Sequence, residues 1–231
     1  MKKLLTLAVC AVLALGAQAQ LVTSTSQSIK TQPKEKRTQW MVRVGAGTNN
    51  IKGDGLDDVV SSKAGYFFGV EFNTHGKRGG YYGLDFALTS RGYSFDGETY
   101  AYDYYYGGYD IYDLKYKLAA HAFEFSPLIF GWKINVAGSK FDIDPHVGLF
   151  MSVDYAGKRK GCEVDGYEVD DVALGDIDGY WRLDVGVRAG VGVWFDRKYN
   201  LDLSYQHGFM GMDESFDIKT KAFMVRLGYA F

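Results

Sequence analysis

The sequence predicts an all-β fold, an eight-stranded antiparallel up-and-down β-barrel of the transmembrane kind. Three observations predict it. From Trp40 onward, apolar residues alternate with polar or small ones at a period of two, and the pattern recurs about eight times. Aromatic residues make up 16% of the chain, with 18 Tyr and 29 Gly against 3 Pro, a balance that suits strands, aromatic belts and tight turns. The closing stretch sets Phe223, Val225, Leu227, Tyr229 and Phe231 on one face, against Met224, Arg226, Gly228 and Ala230 on the other.

Residues 1–19 read as an export signal. Lys2 and Lys3 form its positive start, Leu4 to Leu15 its apolar run, and Ala17-Gln18-Ala19 a small-x-small cleavage site, so the mature chain is expected to begin at Gln20. The run is short for a membrane span, and no apolar stretch long enough for a transmembrane helix follows it. Leu7-Ala8-Val9-Cys10 departs from a lipoprotein box because Val9 is bulky. Cys10 leaves with the signal, and Cys162 alone makes neither an intramolecular disulfide nor a metal cluster. Residues 20–39 form a polar leader, expected in the periplasm, and residues 40–231 suit one large all-β domain. The net charge is −2, with no basic stripe of the kind that binds nucleic acid.

The strands follow in order. The first, near Trp40 to Gly47, sets Trp40, Val42 and Val44 against Met41, Arg43 and Gly45. The second, near Tyr66 to Asn73, sets Phe68, Val70 and Phe72 against Gly69, Glu71 and Asn73. The third, near Tyr81 to Tyr93, sets Tyr82, Leu84, Phe86 and Leu88 against Gly83, Asp85, Ala87, Thr89 and Arg91. The fourth, near Lys115 to Trp132, is irregular. Leu128-Ile129-Phe130 is apolar on both parities, and Pro127 lacks a ladder donor, which marks a bulge.

The fifth, near Phe141 to Tyr155, sets Val147, Leu149, Met151 and Val153 against His146, Gly148, Ser152 and Asp154, with Phe150 as the large exception. The sixth, from Trp181 to Val193, alternates Val and Leu with Arg182, Asp184, Gly186, Arg188, Gly190 and Gly192. The seventh, near Tyr199 to Gly208, sets Leu201, Leu203 and Tyr205 against Asp202, Ser204 and Gln206. The eighth begins near Ile218.

Short connections (74–80, 133–140 and 196–198) alternate with longer ones (48–64, 94–114, 156–179 and 209–217). Membrane barrels alternate turns and loops in this way, and an even strand count returns both termini to the periplasm. The main rival is a soluble eight-stranded barrel. Such a barrel turns a Lys- and Glu-rich face outward. Here the polar parity is rich in Gly, Ala and Ser, with isolated charges, as a narrow lumen requires. The apolar parity runs long, with aromatics toward the strand ends, as a hydrocarbon band requires.

Three segments carry a family resemblance: Phe123-Glu124-Phe125-Ser126-Pro127-Leu128-Ile129-Phe130, Asp144-Pro145-His146-Val147-Gly148-Leu149-Phe150 and Leu201-Asp202-Leu203-Ser204-Tyr205-Gln206-His207-Gly208. They resemble the fourth, fifth and seventh strands of the small outer-membrane β-barrel family of Gram-negative bacteria, which includes OmpX-like, OmpA-like and PorT-like barrels. The resemblance covers Trp40 to Phe231. It implies a place in the cell outer membrane, in contact with its lipid and lipopolysaccharide, and no cofactor. The terminal strand resembles the signal by which the barrel-assembly machinery recognises an unfolded chain, with Tyr229 and Phe231 as its aromatic residues. No peptidoglycan-binding domain is expected after Phe231.

If the apolar parity faces lipid, Arg43, Glu71, Asp85, Arg91, Glu124, His146, Arg182, Asp184, Arg188, Asp202 and Arg226 point inward. Charges so enclosed are expected to pair, and a structural network is favoured over a narrow proton or ion path. Trp194 and Phe150 share the inward parity and help to plug the lumen. Of the four His, His75 falls in a short turn, His121 and His146 suit the interior, and His207 lies near the outer end of strand seven. No motif links any of them to a Ser, so no catalytic residue is expected.

Tyr100, Tyr102, Tyr104, Tyr105, Tyr106, Tyr109 and Tyr112 crowd one loop with Gly and Asp. They form either an adaptable binding surface for an extracellular or periplasmic protein partner or an extension of strands three and four above the membrane. Glu163, Asp165, Glu168, Asp170, Asp171, Asp176 and Asp178 make the next loop acidic, without calcium-loop spacing. The expected function is that of a non-enzymatic barrel that stabilises the membrane or presents these loops. The alternatives are a PorT-like export factor, a lipid A-modifying enzyme and a small porin-like passive pore.

Overall fold

The computed structural model describes residues 38–53, 56, 58–76, 79–103, 108–136, 138–177, 179–211 and 218–231, with the backbone alone at 100–103, 108, 109 and 211. The expected signal and nearly all of the polar leader lie outside these residues. The eight long strands are β1 (Thr38–Lys52), β2 (Val60–His75), β3 (Gly80–Asp103), β4 (Gly108–Trp132), β5 (Phe141–Val164), β6 (Leu183–Phe195), β7 (Tyr199–Gly211) and β8 (Lys219–Ala230).

Each strand pairs antiparallel with the next. β8 returns to β1 with Val42 opposite Tyr229 and Val44 opposite Leu227, and the ring is closed. Closure gives every strand two partners, so the barrel wall has no open edge.

Alternation decides which way each side chain points. Outward stand Val44 and Phe68, Leu84 and Val147, Val193 and Leu203, and Leu227, which is 60% exposed. Aromatic rings gather at both rims of this apolar face. At the short-turn rim, Phe141, Phe195, Tyr199 and Tyr229 follow one another across four strands, with centroids 5.2, 6.5 and 5.5 Å apart. Trp40 packs on Phe72 at 4.8 Å, and the Phe231 N–H donates to the Trp40 carbonyl, 3.0 Å. At the other rim stand Tyr66, Phe123, Tyr155, Tyr205 and Phe209. Two aromatic girdles about an apolar band are what the membrane interfaces select.

The expected bulge sits at Pro127. Gly83 pairs with Ile129 but Asp85 with Ser126, and on the other side Phe125 pairs with Met151 but Leu128 with Leu149. The extra residue switches parity along β4. Glu124 and Ser126 face inward before it and Ile129 after it, while Phe130 faces out. This is how Leu128-Ile129-Phe130 can be apolar on both parities.

The connections differ from expectation at the far end. Most of the stretch read as a connection over 94–114 is paired strand, the extension of strands three and four that the Tyr cluster also allowed: β3 and β4 stay paired as far as Asp103 opposite Gly108. β5 likewise runs on to Val164, and the short strands Tyr167–Val169 and Val172–Ala173 pair back onto it. Above the hydrocarbon nothing imposes an apolar face, so these strands carry no period-two hydrophobic signal. At the near end, β6 and β7 meet in a tight turn with Asp196 (φ 50°) and Arg197 (φ 56°) left-handed, closed by the Lys198 N–H on the Phe195 carbonyl, 3.1 Å. Two successive left-handed residues give the primed turn whose twist matches the flanking strands.

Candidate functional site: the barrel lumen

An eight-stranded barrel is just wide enough for inward side chains to fill it. Glycines on the inward parity make room for the largest of them. The Gly131 position leaves space for the Tyr81 ring, and a Cβ at Gly186 would stand 2.7 Å from the Phe150 ring. The filling is arranged in layers.

The layer at the short-turn end centres on Trp194, which is 1% exposed. Its indole N–H donates to Asp144 Oδ2 at 2.8 Å, and Tyr81 Oη donates to the same oxygen at 3.0 Å. Lys133 Nζ lies 3.7 Å from the Trp194 ring centroid and donates to Gln39 Oε1 at 2.9 Å. Met41 and Ala230 pack against the indole. Together they close the lumen at this end.

The middle layer is ionic. Arg43 Nη2 bridges Glu71 at 2.6 Å and Asp85 at 2.5 Å. Arg188 joins Asp85, at 3.0 Å, to Glu124. Gln206 Nε2 donates to both Glu124 oxygens, 3.1 and 3.0 Å. Arg226 Nε donates to Asp202 Oδ1 at 2.7 Å, and His146 Nε2 faces the other Asp202 oxygen at 3.3 Å. Phe67 stands among the three guanidiniums, with its centroid 5.5, 5.8 and 5.0 Å from the Cζ atoms of Arg43, Arg188 and Arg226. The ring face offers negative electrostatic potential to cations that crowd one another.

Beyond it, Arg91 donates to Ser152 Oγ at 2.9 Å and to Asp184 Oδ2 at 2.6 Å, and reaches Asp154 at 3.5 Å. Tyr180, from the β5–β6 connection, donates to Asp154 Oδ2 at 2.5 Å. Burial first, and then the Asp154 carboxylate, hold the Tyr180 hydroxyl far above the usual tyrosine range, which keeps it a donor. Between this layer and the ionic one lies a cavity of ≈ 20 Å³, bordered by Thr89, Glu124, Phe150, Ser152 and Gln206. It has room for about one water molecule. Over the top, Leu174 and Ile177 of the same connection pack on Ile51, Tyr93, Leu118 and Ala120.

Ten of the eleven residues expected to point inward stand in these layers: Arg43, Glu71, Asp85, Arg91, Glu124, His146, Asp184, Arg188, Asp202 and Arg226. Arg182 does not. It is exposed, because β6 begins only at Leu183 and the chain before it is still in the connection. His121 also departs from expectation. It faces outward and shares a 2.8 Å hydrogen bond with Tyr66 Oη, whereas His146 is interior.

Sequence reading passed over Phe67, Tyr81, Lys133 and Asp144. The parity of Glu71 and Gly69 carried back to Phe67, and that of His146 carried back to Asp144, contains the signal for two of them. Tyr229 and Phe231 are on the outer face, 47% and 60% exposed. Tyr112 Oη lies 3.4 Å from Asp110 Oδ2. Tyr104, Tyr105 and Tyr106 lie outside the described residues, as do the side chains of Tyr100, Tyr102 and Tyr109. Two of the acidic-loop residues serve the backbone: Asp165 Oδ1 accepts from the Asp113 N–H at 2.9 Å, and Asp171 Oδ1 from the Gly161 N–H at 3.2 Å. Among the described residues, no group of three His, Cys, Asp or Glu is placed to hold a metal ion.

The family model for the outer membrane protein beta-barrel domain matches residues 18–214. No curated protein matches the chain. Among solved structures, Neisserial surface protein A (NspA) is 13% identical, with 83% of this chain and 97% of that one covered and a TM-score of 0.42. Ail, the attachment invasion locus protein of Yersinia pestis, is 15% identical, with 85% and 100% covered and a TM-score of 0.42. The outer membrane enzyme PagL is 14% identical, with 82% and 98% covered and a TM-score of 0.44. At these values the structural likenesses carry no argument, and the family match stands beside the closed ring, the apolar band and the polar lumen. The chain belongs to the outer membrane protein beta-barrel domain family and is an integral outer-membrane β-barrel protein.

Proposed function

We propose that this chain is a non-conducting, non-enzymatic barrel that presents its β3–β4 ribbon and its acidic β5–β6 connection to a partner outside the cell. The observation that carries the reading is the filled lumen: a Trp194–Tyr81–Lys133 plug at one end, an ionic layer at mid-height and an apolar cap at the other. With side chains occupying the axis, function moves to the surface. There the ribbon stands out, because within the described ladder residues 99–103 and 108–112 pair only with each other. Tyr100 and Tyr102 are opposite Ile111 and Tyr109 in this register, a projection of roughly 15 Å. Free edges and tyrosines together suit a protein that adds a strand or packs on an aromatic face.

Single-channel recording in planar bilayers tests the closed lumen. No steady conductance is expected, and a reproducible large open state would overturn the reading in favour of a pore. A non-enzymatic role is supported by the scatter of the four His over β2, β4, β5 and β7, two of them on the lipid face and one held against Asp202. Mass spectrometry of lipid A exposed to the purified barrel is expected to show no modification. A change abolished by His121→Ala or His207→Ala would make the protein an enzyme.

The ribbon is tested separately. Replacing Tyr100–Tyr112 with a short Gly/Ser turn should leave a heat-modifiable, folded barrel, since the wall's hydrogen bonds close without it. Failure of that variant to fold would make the ribbon part of the scaffold.

A further inference from the structure

We propose that the outer face of β4 and β5, just beyond the girdle at the long-connection end, is a binding site for the phosphate groups of an outer-leaflet glycolipid. Lys117, Lys158 and Lys160 form it. The proposal rests on that end of the barrel facing outward.

The register brings the lysines together. Along β4 the outward residues run Phe123, His121, Ala119, Lys117. A bulge at Tyr155 sets Ala156 opposite His121, Lys158 opposite Ala119 and Lys160 directly opposite Lys117. Lys117, Lys158 and Lys160 are exposed. The floor beside them is flat, with Gly92 and Ser94 opposite Ala119 and Lys117.

Like charges placed directly across a ladder oppose the pairing of the strands. Here two lysines face each other and a third stands beside them. Among the described residues, none of the three is in a salt bridge. The next outward lysine, Lys115, does have a partner, Asp96 at 3.4 Å. The run of outward lysines without a salt bridge ends there on β4.

Its depth names the anion. Tyr66 and His121, joined at 2.8 Å, and Tyr155 mark the interface. Lys158 stands two residues beyond that level and Lys117 four, or about 7 and 13 Å along strands that tilt by roughly 40°. Along the membrane normal these are about 5 and 10 Å, which puts Lys158 in the headgroup layer, about 5–8 Å thick on each side of the hydrocarbon, and Lys117 and Lys160 at its outer edge. A mobile ammonium at the end of a four-carbon stem meets a phosphate there as a point charge. The closely set lysines suit a headgroup with more than one phosphate, and a lipid A-type glycolipid has that chemistry.

The test uses the full barrel in detergent micelles, titrated with bis-phosphorylated lipid A and read by native mass spectrometry. Lys117→Gln/Lys158→Gln/Lys160→Gln should weaken binding on the order of 100-fold, from the usual contribution of each lysine near an anionic surface. Lys158→Gln alone should weaken it about fivefold, which keeps the test open if the triple variant folds poorly. Lys140→Gln/Lys198→Gln, at the opposite rim, should bind as the wild type does. Lipid A stripped of both phosphates, and phosphatidylglycerol, should bind far more weakly to the wild type.

Unchanged binding by both patch variants would overturn the site. Equal binding of dephosphorylated lipid A would overturn the phosphate assignment, and equal binding of phosphatidylglycerol the glycolipid one. A preference for a soluble sulfated polysaccharide over lipid A would make the patch a glycan site instead. Surface labelling of a tag at the ribbon tip on intact cells reports the orientation independently. A ribbon inside the cell would overturn the outer-leaflet assignment, whatever the lipid titrations show.

Discussion

Arg188→Met is expected to destabilise the barrel by about 3–5 kcal/mol, the usual cost of removing one partner from a buried ion pair. Arg188 is 2% exposed and is the link between Asp85 and Glu124. Without it, among the described residues, Glu124 keeps only Gln206, and Asp85 keeps only Arg43, which it already shares with Glu71. Methionine fills much of the space, so the loss reports charge rather than volume. Urea unfolding in phosphatidylcholine vesicles, followed by tryptophan fluorescence, measures it. Adding Glu124→Gln should recover a large part of the loss, because the carboxylate left most exposed to burial is then neutral. A single variant as stable as the wild type would show the network to be dispensable.

Leu227→Arg should cost about 2 kcal/mol, between the midplane and the interface values, whereas Leu227→Ala leaves the face apolar and should cost far less. Leu227 faces outward at 60% exposure, opposite Val44 on β1 and Leu201 on β7, with the aromatic girdle two residues further on at Tyr229. Leu227 lies between that girdle and the mid-band level of Val225, so an arginine here reaches the interface only in part. Folding yield into vesicles, read by heat-modifiable gel mobility, separates the two variants. Equal yields would remove Leu227 from the lipid face.

How far the sequence could be read follows from where the membrane imposes a choice of face. Between the girdles, every residue is either against hydrocarbon or in the lumen. There, alternation alone placed Arg43, Asp85, Trp194 and Phe150, and the parity conflict around Pro127 located a bulge. Beyond the girdles that constraint is gone, and a strand built of Tyr, Gly and Asp reads as a loop although its hydrogen bonds continue to Asp103. Arg182 shares the parity of Asp184, but alternation does not say where the strand starts. Phe67 was hidden for another reason. Its surroundings are three arginines from β1, β6 and β8, which only ring closure brings together, and an isolated phenylalanine gives no hint of such neighbours.

The seam between β1 and β8 has a consequence for assembly. It joins the first strand of the described chain to the last, with Met41 opposite Ala230. The β3–β4 hairpin can zip from its own tip, but the seam must first overcome the entropy of closing nearly the whole chain into a loop, so local hairpins have every kinetic advantage over it. Until it forms, β1 and β8 each carry a row of unpaired peptide groups, and hydrocarbon penalises each such group by several kcal/mol. A partly zipped ring is therefore a poor resident of the bilayer. Insertion and circularisation become a single cooperative event, completed when the two ends of the sheet meet.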